Sequence, residues 1–192
     1  PIAKWNLARF AECLIPLIDK NEDQAIKTAT QIIDNFQTIY EQKWLDMMKS
    51  KLGLIGDNKD DLKLINSLLN WMEESKADYT NTFCYLMDMP IKDEIYNDKR
   101  FIEWVQAWNN RSTLNNSNKE NQFQLMKKVN PVIIPRNHKV EEALSDANKN
   151  NYETLYKLLS VIQNPYNPKV DVLEYQSPAP ESKEKYQTFC GT

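Results

Sequence analysis

An all-α fold is predicted by three features of the 192-residue sequence. Apolar residues recur at helical spacing along most of its length, and no stretch alternates apolar with polar residues for long enough to make a convincing strand. Proline, glycine, Asp and Asn punctuate the joins between the periodic segments.

Taken in order, Ile2, Trp5, Leu7, Phe10, Leu14 and Ile18 fall roughly on one side of a first helix, which should be buried and amphipathic, with Pro16 bending or ending it. From Asp23 the spacing of Ile26, Ala29, Ile33, Phe36, Tyr40, Trp44, Met47 and Met48 predicts one long helix, closed by a left-handed cap at Gly53. Asp57 or Asn58 can cap a helix carrying Leu62, Ile65, Leu68, Leu69 and Met72, and Asp78 a shorter one with Thr82, Phe83 and Leu86 that Pro90 stops. A further helix holds Phe101, Ile102, Trp104, Val105 and Trp108, followed by a polar linker at Asn115 to Asn118, where disorder is expected.

Lys119 to Val129 reads as helical and Asn130-Pro131 breaks it. Val132 to Pro135 is extended, because a residue preceding proline is biased out of the α region, and this segment should cross the core. Two short helices, Lys139 to Asn148 and Tyr152 to Ile162, then fit an antiparallel hairpin with Val140, Ala143, Leu144, Leu155, Leu158 and Leu159 inward. Beyond Asn164, prolines at 165, 168, 178 and 180 predict an extended arm without regular structure. The expected organisation is a helical body over residues 1–163 and an arm over 164–192.

Hydrophobic residues make up 41% of the chain, enough to furnish the core of one domain. A net charge of -3, with lysines scattered singly among acids, gives no long-range reason to expect nucleic acid or an anionic membrane as partner. No apolar run approaches the roughly 18–20 residues needed to span a bilayer. Three cysteines, Cys13, Cys84 and Cys190, lack CxxC spacing, which argues against a disulfide framework or zinc site and for a reducing, cytoplasmic setting.

The chain has only three glycines, Gly53, Gly56 and Gly191, and neither GxGxxG nor GxxxxGK[ST] can be written from them. A backbone cradle for phosphates needs glycines so that successive N–H groups can approach the anion. No ATP loop is expected here, and no bound cofactor or metal. The acidic run Gly56 to Leu62 lies between helices, yet counting from Asp57 an EF-hand would need glycine at Leu62 and glutamate at Leu68. A capped, solvated helix start explains the run better. Glu73-Glu74 reads as a surface pair, and the Trp104/Trp108 spacing as core packing in preference to a stacking platform.

His138 has no second histidine or nearby cysteine with which to hold a metal. The Arg136-Asn137 pair beside it could clamp an anion, but a salt bridge for Arg136 and a helix cap for Asn137 suit the same residues. Cys13 and Cys84 sit among apolar neighbours and read as small core hydrophobes. Cys190 has the strongest claim to a role, since a thiol on an arm can reach a distant partner. Its plain alternative is an inert terminal thiol.

Several segments carry a family resemblance. LMKKVNPVIIPRNHKVEEAL, YETLYKLLSVIQNPY and the closing YQTFCGT resemble the C-terminal end of the selenoprotein O family, and Ile2 to Glu12 is similar to its WNLxRLAE segment. Tyr40 to Leu54 and Asp78 to Met87 also look like family segments, whereas Leu114 to Gln122 has no counterpart; the match is strongest at Met126 to His138 and Tyr186 to Thr192. The resemblance implies the helical C-lobe and extension of a pseudokinase-fold protein adenylyltransferase, which moves AMP from ATP, with magnesium, onto Ser, Thr or Tyr hydroxyls of protein substrates.

It further implies that the phosphate-binding lysine, its glutamate and the metal-binding Asp and Asn lie upstream of Pro1, so that this chain carries no catalytic residue and pairs with a missing N-terminal catalytic region. Cys190-Gly191-Thr192 resembles the bacterial ending, and by the same resemblance Cys190 is a redox residue able to pair with a cysteine of the activation segment, also upstream. The alternative is a stand-alone helical interaction module, which the paired helices after Pro135 and the aromatic content support.

Overall fold

The structure, a computed structural model, describes residues 2–114, 118–167 and 173–180, and every regular element among them is helical. The chain divides into two compact units, residues 1–49 and 50–192.

The first unit holds α1 (Ile2–Ile18), α2 (Glu22–Asp34) and most of α3 (Phe36–Lys51). α2 starts where the Asn21 side chain accepts the Gln24 N–H at 3.0 Å, with Glu22 and Asp23 at the positive end of the helix dipole. α1 and α2 pack on each other, and Lys4 pairs with Asp34 at 3.1 Å. Two expectations fail here. Asn35 divides the long helix, its N–H turning back to the Gln31 and Ile33 carbonyls, where Asp34 and Asn35 put two weak helix formers in succession. And α1, expected to be buried, has no buried residue: periodicity tells which face is apolar but not what covers it.

The second unit begins at the end of α3, where the Lys51 and Leu52 carbonyls would be orphans of the helix terminus. Three side chains satisfy them. Asn130 donates to Lys51 O at 2.8 Å, Trp108 Nε1 to Leu52 O at 2.8 Å, and Gln122 Nε2 to Leu52 O at 3.4 Å. Gly53 follows at φ +64°, the left-handed position its sequence context predicts.

α4 (Asp61–Ser75) packs on α6 (Lys99–Thr113), with α5 (Tyr79–Leu86) and a 3₁₀ turn (Glu94–Asn97) between them in sequence. Asp78 caps α5 as expected, accepting the Asn81 N–H at 2.8 Å. The core of this unit is aromatic: Trp71 stacks on Phe101 at 4.4 Å and Tyr85 on Tyr96 at 4.1 Å, with Trp104 and Trp108 stacked at 6.0 Å. Trp104 also satisfies its indole N–H, on Leu64 O at 2.8 Å. These contacts account for both tryptophans as core. Ile102, on the same helix, is exposed.

The acidic run before α4 departs from its reading as a solvated start. Asp61 is buried, and the Arg111 guanidinium meets it through Nε–Oδ1 at 2.6 Å and Nη2–Oδ2 at 3.0 Å while donating to the Ile55 and Gly56 carbonyls. Arg111 lies 50 residues away, too far for any local pattern to announce it. Neither Asp57 nor Asn58 is the N-cap; that position falls to Asp60.

α7 (Lys119–Val129) matches its expected bounds, with Asn118 as its cap; linker residues 115–117 lie outside the described residues. Val132 and Ile133 are then buried and outside any regular element, Val132 N–H bonding Pro165 O at 2.7 Å. α8 (Asn137–Ala147) and α9 (Glu153–Ile162) pack together across a short turn, where Thr154 Oγ1 bonds Asp146 at 2.6 Å. Ala143 and Leu158 face inward, but Leu144 and Leu159 are exposed. The arm is not without regular structure: Leu173–Gln176 forms a short helix, α10.

Candidate functional site

The residue singled out on the arm, Cys190, lies outside the described residues, but the root of the arm does not. Its anchorage is built from three segments. Asp78 stands at the α5 N-terminus, Pro135 ends the irregular segment, and Arg136, immediately after it, becomes the N-cap of α8. Arg136 grips Asp78 in bidentate fashion, Nη1–Oδ2 at 2.7 Å and Nη2–Oδ1 at 3.1 Å, and reaches Asn81 Oδ1 at 3.3 Å.

Asn81 Nδ2 in turn donates to Gln176 O at 3.1 Å, and Gln176 Nε2 donates to Val132 O at 3.2 Å. Lys139 adds ion pairs to Glu174 and Glu142 and lies over the Tyr175 ring. Gln176 is thus a buried polar latch joining α10 to α5 and to Val132. Sequence reasoning missed it, because a glutamine in a proline-rich stretch carries no signal until its partners are known.

Arg136 proves to be a structural ion pair, and Asn137 is the first residue of α8 and not its cap. His138 stands in the first turn of α8, part exposed. Glu74 pairs with Arg100 on the surface at 2.6 Å. Cys84 is buried as expected, whereas Cys13 is exposed, its thiol bonded to Arg9 O along its own helix. The correction has the same cause as that for α1, an apolar helix left uncovered.

Burial governs four titratable groups of the second unit. It pushes the Cys84 thiol up to about 11 and the Tyr96 phenol to about 12, raises Tyr79, and lowers the Lys51 ammonium, which lies 4.5 Å from the Phe83 ring and 5.4 Å from that of Tyr79. A thiol held protonated in the core is a poor nucleophile. Under native conditions maleimide should therefore label Cys13 and leave Cys84 unmodified until the chain unfolds, as read by peptide mass spectrometry; prompt labelling of Cys84 would contradict this environment.

Asp78 responds oppositely. Burial pushes its carboxyl up, but hydrogen bonds from Arg136 and from the Asn81 and Thr80 N–H groups, with the Arg136 charge, outweigh that and hold it below its ordinary 3.8. A carboxyl depressed in the folded state contributes stability that is fully present above 3.8 and is lost as pH falls through the folded value, because the unfolded chain binds the proton first. Acid titration of stability should accordingly fall less steeply below about pH 4 in Asp78→Asn than in the parent. Parallel titrations would refute the assignment.

These residues do not fit a magnesium–triphosphate group. Buried Arg111 and half-buried Arg136 are each already bidentate on an aspartate, and Lys51 lies against the Phe83 and Tyr79 rings. Among the described residues no group of three His, Cys, Asp or Glu could hold a metal, and no helix is long and apolar enough to cross a membrane. What the arrangement does is brace helices and pin the root of an arm.

Helices braced by ion pairs, with α10 latched onto α5, define a scaffold class only; the comparisons supply the family. The profile described as "Protein adenylyltransferase SelO" matches residues 1–163. The chain belongs to this family. It is 53% identical over its whole length to "Protein nucleotidyltransferase YdiU" of Pelagibacter ubique, covering 40% of that protein. Proteins of the same name from Nitrosococcus oceani and Brevibacillus brevis are 43% and 44% identical, again over all of this chain and 39% of theirs. The chain spans about two fifths of the length of these relatives.

Proposed function

We propose that the chain is the C-terminal portion of a cytoplasmic protein adenylyltransferase that transfers AMP from ATP, with magnesium, to Ser, Thr or Tyr hydroxyls of proteins. The observation that carries this reading is the family match over residues 1–163 by relatives about two and a half times as long. In such an enzyme the nucleotide and metal bind outside these residues. The helical body, residues 1–163, braces the catalytic region, and the arm, residues 164–192, carries Cys190 as a redox-responsive thiol. The Gln176 latch supports the second part, because it ties α10 to α5 and to Val132 within the same stretch of chain that carries Cys190.

The test is transfer of label from α-labelled ATP with magnesium. The polypeptide of the full reading frame should label protein substrates, and the 192-residue chain should not. Magnesium-dependent nucleotide turnover by the chain alone would overturn the reading. For the thiol, Cys190→Ser in the longer polypeptide should abolish any dependence of transfer on reductant; retained dependence would remove Cys190 from the scheme.

A further inference from the structure

The first unit holds more uncovered apolar surface than its size explains. Helix α1 is apolar around most of its circumference, a pattern that belongs to buried helices, yet none of its residues is buried. Ala8, Ala11 and Ile15 line a groove of about 770 Å³ shared with Ile26, Ala29 and Ile33 of α2. Away from that groove, Ile2 is 76% exposed, Trp5 62%, Phe10 62% and Leu17 81%. Aromatic and branched side chains of this size make a patch on the order of several hundred Å², the upper limit for a monomer surface.

We propose that this α1 face is an interaction surface for the remainder of the same polypeptide, the part by which the relatives exceed this chain. The inference rests on the functional reading above. Those relatives match the chain from end to end and are about 60% other sequence, so the other sequence belongs to the same polypeptide as the counterpart of α1 in each of them. A linked partner acts at an effective concentration on the order of millimolar, which a second copy or another protein would have to exceed. The occupant is therefore apolar surface of that remainder, with Trp5 and Phe10 as the aromatic anchors that dominate such contacts.

Hydroxyl-radical footprinting of the 192-residue chain and of the polypeptide from the full reading frame tests this. Oxidation of Trp5 and Phe10 should fall at least fivefold in the longer polypeptide, while that of exposed Tyr156 in the second unit stays the same. Phe10→Asp in the longer polypeptide should restore the reactivity of Trp5; because Phe10 is exposed in this chain, circular dichroism of the 192-residue variant should be unchanged. Equal oxidation in both polypeptides overturns the proposal. So does protection in the short chain that grows with its concentration, or on adding phosphatidylcholine vesicles, which would assign the face to a second copy or to lipid. Protection without AMP transfer by the longer polypeptide would keep the surface and reject the activity; transfer without protection would do the reverse.

Discussion

Arg111→Ala will destabilise the second unit by about 3–5 kcal/mol, the usual consequence of stranding one charge of a buried pair. Asp61 is buried and would keep its carboxylate with no guanidinium to meet it. Three further contacts go with the same side chain, because Arg111 also donates to the Ile55 and Gly56 carbonyls of the turn before α4. The double variant Arg111→Met with Asp61→Leu should recover part of the loss, since apolar residues of similar volume often replace a buried pair without penalty. It should still fall below the parent, because those turn carbonyls lose the bonds that Arg111 gave them. Urea unfolding monitored by tryptophan fluorescence reads both. A loss below about 1 kcal/mol in Arg111→Ala would mean that Asp61 escapes to water and that the pair is effectively a surface one.

Gly53→Ala will cost about 3 kcal/mol, summing a left-handed backbone penalty of roughly 1–2 with overpacking of similar size. Gly53 adopts φ +64°, and a Cβ there would lie 2.4 Å from Gln122 Cγ and 2.9 Å from Gln122 O. Gln122 cannot simply swing aside, because its amide bonds Ser112 Oγ at 2.9 Å and Leu52 O at 3.4 Å. Relief therefore demands movement of α7 or loss of a cap on α3. The thermal midpoint of the variant, compared with that of Gln122→Ala and of the double variant, separates strain from contact. If Gln122→Ala rescues nothing, the cost lies in the left-handed backbone and the remaining contacts with the residue-122 carbonyl and Met126, not in the Gln122 side chain.

The helices were legible because each rests on information a few residues long. Asp78 caps α5, Asn118 precedes α7, and Pro131 and Pro135 keep the segment between them out of helix, all through contacts or steric rules within about four positions. The split at Asn35 escaped notice because the apolar period runs through it unbroken. Candidate-site residues fared less well: Arg136 was placed correctly as one half of a salt bridge, but Asp61, Lys51 and Gln176 owe their roles to partners 28 to 95 positions away.

Sequence by itself determined the all-helical composition, most helix ends, the aromatic core around Trp104 and Trp108, and the want of a glycine cradle for phosphates. Tertiary structure alone decided which carboxylate is buried, which cysteine is sealed in, how the arm is latched, and that the apolar side of α1 stands open. Periodicity records the polarity of a face. The burial of that face depends on which distant residues fold against it.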